Sequence, residues 1–448
     1  MCRRWIGSLS LLLMLPFGVD ANVRADDSWP AFRGPGSRGV ATGAAHPDRW
    51  SATDNVAWTA DIPGRGWSSP VVAGGKVFVT TCESAGAPEE ARKGLYFGGD
   101  RKEPNASVHR WKVLCLDLET GGILWEKTLH EGLPAQPIHV KSSYASETPV
   151  ADGSRVWCLF GGVGIFCLDH DGAVVWERPL AARRMRAGWG TAASPALHDG
   201  RLYVVDDNEE ESSIVALDAA TGDERWRVAR DERSNWSTPL VWETPQRVEV
   251  VTAGTGKVRS YSTDGTLLWW LEGMSSITIA TPYALDGLLY VSSGYVLDTS
   301  KPLYAIRPGA SGDITPATGS AAASSIAWSL PSAAPYNPTT LGADGRIWVL
   351  HDRGFLAAYA AADGRELFAP ARIPDGRAFT ASPWFADGKV YCLNEDGVTF
   401  VYRAGDTLEF LHANPLAEDD MALATPALVG DRLLLRTASR LRCIRAPR

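Results

Sequence analysis

The residues of this chain able to bind a metal or attack a substrate are dispersed. Cys82, Cys115, Cys158, Cys167, Cys392 and Cys443 include no adjacent pair, no Cys-x-x-Cys and no Cys-x-x-Cys-His. That spacing gives no support to a zinc ribbon, a dithiol redox site or covalent haem. Small buried core residues are the reading favoured for them, although Cys158 and Cys167 flank "LFGGVGIF" and a cross-strand disulfide between them is open if the geometry allows. The eight histidines (His46, His109, His130, His139, His170, His198, His351 and His412) form no HExxH or other metal spacing. The run "DDNEEE" at 206 to 211 offers oxygen ligands for Ca²⁺ but lacks the glycine and spacing of a calcium loop, so a solvated acidic turn is expected. Serines recur before proline without the flanking glycines of a nucleophile elbow. Their recurrence is that of turn chemistry.

That recurrence exposes the architecture. "SSPVVAGGKVFV", "SETPVADGSRVWCL", "ASPALHDGRLYVV", "STPLVWETPQRVEVV", "ATPYALDGLLYVS", "ASPWFADGKVYCL" and "ATPALVGDRLLL" share a Ser/Thr-Pro step, a short apolar run, a turn and an alternating strand, with a degenerate eighth copy in "YNPTTLGADGRIWVL". Their prolines fall at 70, 149, 195, 239, 282, 338, 383 and 426, so most gaps are 43 to 46 residues and the two longer ones hold insertions near 83–110 and 309–325. Between copies runs a second grammar, "CLDLETGGILW" at 115–125 and "ALDAATGDERW" at 216–226, with a shorter "CLDHDGAVVW" at 167–176. A period of roughly 40 to 45 residues made of short alternating strands is the signature of a β-propeller. The outer-strand aromatics Trp58, Trp125, Trp176, Trp226, Trp269, Trp328, Phe368 and Phe410 are expected to dock between neighbouring blades, a buried indole covering roughly 150 to 250 Å².

Circular closure follows from the ends of the repeat. "RLRCIRAPR" stops before any outer strand, and "DNVAWTADIP" supplies an outer strand with no inner ones before it. Joining them removes an open sheet edge. The expected fold is therefore all-β, an eight-bladed β-propeller over 54–448, preceded by an N-terminal arm at 26–53. Residues 1–25, with Arg3, Arg4 and the run "LSLLLMLPFGV", read as a signal peptide cleaved after Ala25. Cys2 precedes the apolar run, so no lipid anchor is indicated, and no later segment suits a membrane span. Removing Arg3, Arg4, Arg24 and Asp20 takes the net charge from −8 to −10. So acidic a chain is not expected to bind nucleic acid.

The repeat also predicts where ligands would meet the fold. Turns ahead of the Ser/Thr-Pro steps should gather at one rim of the central channel. They carry Arg65 and Trp67, Tyr144 and Glu147, Trp189, Asn235 and Trp236, Tyr336 and Asn337, and Phe379. Aromatic rings with a few polar groups suit a small molecule or glycan, while strand-end packing repeated around a scaffold is the simpler account of them. A second candidate is "AARRMRAGWG" at 181–190, whose Arg183, Arg184, Met185 and Arg186 are residue types common at protein interfaces.

The A-x-D-x-x-T-G-x-x-x-W grammar resembles the tryptophan-docking motif of pyrroloquinoline-quinone (PQQ) type repeats, found in quinoprotein dehydrogenases and in BamB, the propeller lipoprotein of outer-membrane β-barrel assembly. "WPAFRGPGSRGVA" at 29–41, with "SNWSTPLVWE", "GASGDIT" and "AFTASPW", is similar to BamB-like exported proteins of planctomycete type. For a quinoprotein the resemblance implies PQQ on a tryptophan floor beneath a disulfide of adjacent cysteines, a calcium ion held by acidic and amide side chains, and an Asp base. Adjacent cysteines are lacking here and the acidic residues do not align with those ligands, so the motifs support neither PQQ nor calcium. For BamB the resemblance implies a partner loop placed like 181–190, although arginines here largely replace its leucines. The expected function is an exported, non-catalytic protein-binding or scaffolding module in the periplasm or cell envelope. The rival is an enzyme, either a PQQ-dependent dehydrogenase with atypical ligands or a carbohydrate-active propeller using the channel rim.

Overall fold

A computed structural model describes residues 28–43, 45–87, 92–95, 103–316, 324–416 and 420–446; residues 1–25, expected from the sequence to be a signal peptide, lie outside them, as do parts of both insertions. The described residues form eight antiparallel sheets, one of which gains a fifth, parallel strand. Blade one is Val71–Ala73, Lys76–Ser84, His109–Asp117 and Ile123–Gly132; each later blade repeats this order from a short inner strand outward. The inner strands neighbour one another in sequence and the first neighbours the last, which closes the ring. Blade eight takes Ala427–Val429, Arg432–Arg436 and Arg440–Arg445 from the C-terminal region and its outer strand, Val56–Asp61, from the N-terminal region. Trp58 faces Cys443 in that antiparallel register.

Local chemistry explains both repeat signatures. Asp286 and Gly287, at φ 50° and 80°, close the inner hairpin of blade five with two successive positive-φ residues, the conformation a two-residue turn needs and Asp-Gly adopts readily. In the outer turn, Asp218 Oδ1 accepts the backbone N–H groups of Ala220 and Thr221 at 2.8 and 2.9 Å. The glycine that follows carries the seam between blades: a Cβ on Gly222 would lie 2.7 Å from the ring of Trp176, in the blade before. Trp176 Nε1 donates to Ala219 O at 3.0 Å. The same seat, an indole over a Thr-Gly or Asp-Gly turn of the next blade, recurs for Trp58 on Gly121, Trp125 on Gly172, Trp226 on Gly265 and Trp328 on Gly364.

Three seams depart from the expectation. Trp269 is fully buried and donates to Glu249 Oε2 at 2.7 Å, because the second insertion adds Gly312–Asp313 as a parallel strand beside it. Phe368 is half-buried against Trp348. Phe410 is 45% exposed and does not dock; in the core at blades seven and eight Trp50 of the arm is buried instead, stacked on Tyr391 of blade seven. The sixth repeat also needs correction. Its inner strand starts at Leu341, so Thr340, not Pro338, stands where the other blades have proline. The Cys158–Cys167 disulfide is excluded by register, since Cys158 faces Phe166 and Cys167 faces Trp157. The two thiols point into different inter-blade cores, and all six described cysteines are free and buried.

The arm does more than lead into the ring. Trp29 exchanges two 2.9 Å backbone hydrogen bonds with Val72 of blade one, Pro30 O accepts from Ala151 of blade two, and Gly39 O accepts from Phe385 of blade seven. Between them the fully buried Arg33 donates to the carbonyls of Ser37, Arg38 and Thr340 at 2.9, 2.9 and 3.1 Å, and to Pro383 O at 3.5 Å. Burial lowers its guanidinium to about 10. Residues 29–41 thus cross the channel between inner strands and occupy one end of it.

Candidate functional site

At the other end lies a cavity of about 300 Å³. Its base is a ring of side chains from all eight blades, Ser69, Thr148, Ser194, Thr238, Thr281, Thr339, Ser382 and Thr425. Each stands directly before the proline, or before Thr340 in blade six, that opens its inner strand. The backbone N–H of one member donates to the hydroxyl of the next around the ring: Ser69 to Thr148, Thr148 to Ser194 and Ser194 to Thr238, then Thr281 to Thr339, Thr339 to Ser382 and Ser382 to Thr425, all at 2.9 to 3.0 Å. Links from Thr238 to Thr281 and from Thr425 to Ser69 are not formed, so the circle is two arcs of four blades. Ser69 Oγ is buried without any hydrogen-bond partner. Phe32 of the arm also lines the cavity.

Of the rim residues expected from the repeat, Trp67, Trp189, Trp236, Tyr336 and Asn337 line this cavity. Trp67 Nε1 donates to Lys141 O at 2.8 Å and Trp236 Nε1 to Gly190 O at 2.7 Å, which fixes both rings. Trp189 and Trp236 pack with ring centroids 5.7 Å apart, and His139 meets Trp189 edge-on. The other five are drawn elsewhere. Glu147 is buried behind the ring, where its Oε1 accepts from Thr191 Oγ1 at 2.5 Å and Gly161 N at 3.2 Å, and burial raises its carboxyl. Asn235 bonds the buried Asp207. Phe379 packs wholly in the core against Phe400. Tyr144 packs on His109 and Trp111. Arg65 bridges Cys82 through its backbone and is not part of the cavity lining.

Sequence reasoning missed the ionisable groups at the mouth. Asp352, in the turn after the second strand of blade six, lines the cavity and accepts the N–H groups of Asn337 and Tyr336 at 3.0 Å each, while burial raises its carboxyl. Lys141 pairs with the buried Glu395 of blade seven, whose carboxylate also accepts from Thr380 Oγ1 and from Gly94 N of the first insertion, both at 2.8 Å. These partners are far apart in sequence and no local spacing marks them.

The 181–190 loop is folded back on the propeller. Arg183 pairs with Glu210 and Glu211, Met185 is buried beside Trp236 and Ile277, and Arg186 donates to Ser276 O at 2.9 Å and lies over the ring of Tyr295. Arg184 is exposed and hydrogen-bonds through its backbone to Glu209 and Glu210. A solvated acidic turn at 206–211 is likewise corrected, since Asp207 and Asn208 are buried. Asp207 forms a two-pronged ion pair with the equally buried Arg230, at 2.8 and 2.9 Å. Nearby Glu232, paired with Arg259 but with Oε2 unsatisfied, is raised to about 7 because desolvation outweighs its arginine neighbours. Among the described residues no group of three or more His, Cys, Asp or Glu is placed to hold a metal ion.

Known proteins agree with this geometry at the level of fold and repeat. The sequence family described as "Outer membrane protein assembly factor BamB" matches residues 109–269 and 210–306, together less than half of the chain. The structure is similar to a europium-containing methanol dehydrogenase (TM-score 0.62, 10% identity, 94% of this chain and 98% of that one). The chain is an eight-bladed β-propeller whose residues 109–306 match a PQQ-like repeat family. BamB from Moraxella catarrhalis superposes on the same PQQ-like propeller with TM-score 0.54 and 13% identity, over 82% of this chain and 98% of its own. A serine/threonine-protein kinase, AfsK of Streptomyces griseus, is 28% identical over 142 residues, which are 31% of the propeller chain and 16% of the kinase. The chain therefore spans a small part of that curated relative. Identities this low carry the architecture and no residue's role.

The PQQ-like resemblance implies a quinone and a metal ion, and the carboxyl at the channel mouth does not fit the metal. The carboxyl lining the cavity, Asp352, has both oxygens committed to backbone N–H groups, and the ammonium of Lys141 is taken by Glu395. A hard cation needs several free oxygen ligands converging on one point. No step is derived through such a group.

Proposed function

We propose that this propeller is an exported, non-catalytic binding module of the cell envelope that presents its channel-mouth face to a protein partner. One observation carries the reading: of the ionisable groups at or behind the mouth, which also include His139 and Arg353, the acidic Asp352, Glu147 and Glu395 and the cation Lys141 are held by backbone N–H groups, hydroxyls or each other. A general acid or base must be free to exchange a proton with substrate. The rim is built from strand ends, with the indoles of Trp67 and Trp236 held by hydrogen bonds, so a partner would meet preformed side chains.

The test places a photo-crosslinking residue at Tyr336 or Asn337 on the rim and, as control, at the exposed Val175 on the outer strand of blade two. Defined adducts with one envelope protein are expected from the rim positions alone. Equal labelling from Val175, or recovery of the protein in the cytosolic fraction, would contradict the proposal. Turnover of an alcohol or sugar by the purified protein would instead support the enzyme reading.

A further inference from the structure

The hydroxyl ring is chemically unfinished. Thr148, Ser194, Thr238, Thr339, Ser382 and Thr425 each use an oxygen lone pair to accept a backbone N–H. None of these hydroxyls donates to a protein acceptor among the described residues, and Ser69 Oγ, 1% exposed at residue level, has no partner of either kind. A buried hydroxyl left unmatched costs about 1 to 3 kcal/mol, so such groups are normally paired with protein, water or ligand. Here they converge on one axis, at the floor of a cavity that all eight side chains line. Hydroxyls that line this floor without a protein acceptor favour a guest rich in acceptor oxygens.

Charge and shape narrow the guest. The floor is neutral, and at the mouth Lys141 is matched by Glu395 while Asp352 is spent on backbone N–H groups; His139 and Arg353 also line the wall. Neither Lys141 nor Asp352 offers a charged guest an uncommitted counter-charge, and the floor it would meet carries hydroxyls alone. The walls are the fixed rings of Trp67, Trp189, Trp236 and Tyr336, flat apolar faces against which the C–H faces of a sugar ring can pack. The arm closes the base, where Phe32 meets the cavity. A guest can enter from the mouth but cannot thread through, which suits the end of a chain and not its middle.

We infer that the channel mouth binds a neutral saccharide end-on, with the terminal pyranose seated between the indoles and its hydroxyl oxygens taking hydrogen bonds from the eight-blade hydroxyl ring. This goes beyond the partner reading above and does not depend on it. A volume of about 300 Å³ lies at the lower end of known small-ligand sites, which matches one or two sugar rings.

The test uses the purified protein, with tryptophan fluorescence and calorimetry as readouts. Methyl glucoside, methyl galactoside, methyl mannoside, N-acetylglucosamine and xylose are the neutral probes, with glucuronate and inorganic phosphate as charged ones. Saturable binding of at least one neutral sugar is expected, with a change in indole emission. Two substitutions isolate the ring: Ser69→Ala removes a hydroxyl without any protein partner, and Thr281→Val removes one whose side chain is not used as an acceptor by its neighbour. Thermal midpoints should not fall below the wild-type value, since Ser69→Ala removes an unmatched buried hydroxyl, while each substitution weakens sugar binding about fivefold, the worth of one neutral hydrogen bond. Failure of every neutral probe to saturate at tens of millimolar, a response only to glucuronate or phosphate, or wild-type affinity in both variants would each overturn the inference. None of these results bears on whether a rim crosslink forms, so the two readings fail separately.

Discussion

Gly222→Ala tests the reason for the tryptophan repeat. The new Cβ would sit 2.7 Å from Trp176 Cε3 and 2.8 Å from Cδ2, so the indole must retreat by most of an ångström. Retreat stretches the 3.0 Å bond from Trp176 Nε1 to Ala219 O, worth about 1 kcal/mol, and loosens the ring's packing. Alanine at φ +77° adds about 1 kcal/mol of backbone strain. The sum is about 2 to 4 kcal/mol against a total stability of roughly 5 to 15. Gly200→Ala in the same blade is the control, because Gly200 has φ +69° but nothing within 4 Å of its virtual Cβ; it should lose only about 1 kcal/mol. Urea unfolding of both variants, alone and in a Trp176→Ala background, completes a cycle. The excess cost of Gly222→Ala should vanish once the indole is gone. Equal losses for the two glycines, or an excess that survives in Trp176→Ala, would refute the seat.

Three further outcomes can be checked. Arg33→Met removes the donor shared by the carbonyls of Ser37, Arg38 and Thr340; a loss of about 3 kcal/mol and rapid proteolysis within residues 29–41 are expected, and an arm that stays protected would contradict the bolt-like role. Glu232, raised from 4.5 to about 7, contributes stability that is complete below pH 4.5 and is lost as pH rises through 7. Urea titrations across that window should show a decline of up to about 3 kcal/mol that Glu232→Gln abolishes, and a flat wild-type profile would count against it. Phe410→Ala should cost less than about 1 kcal/mol and Trp226→Ala about 3 to 5, since only the second ring is seated on a neighbouring turn; calorimetric melting separates them.

What could be read from the sequence was whatever repeats. Eight copies of one strand pattern declare eight blades, and the outer strand "DNVAWTADIP" with no inner strands declares the closure. Trp67, Trp189, Trp236, Tyr336 and Asn337 reached the cavity because position within a repeat maps directly onto position around the ring. Glu147, Asn235 and Phe379 did not, because one step along a strand-end turn moves a side chain from the channel into an inter-blade core. Pro338 misled by standing two residues before the position that Thr340 fills. The Lys141–Glu395 pair and the path of the arm join segments hundreds of residues apart, and neither periodicity nor composition encodes such distances. The hydroxyl ring was in view in every Ser/Thr-Pro copy but was read as turn chemistry; its meaning depends on eight separated residues meeting around one axis.

The shared eighth blade sets a clock on folding. Val56–Asp61 is made early and its partner in the ring is Arg440–Arg445, so its native pairing must wait until nearly the whole chain exists. During that interval seven blades can assemble as an open arc, but its two ends remain sticky edges of the kind that recruit other chains. Contacts this remote are slow to form. The pairing of the first strand with the last is therefore the step that removes both open edges and turns an arc of blades into a ring.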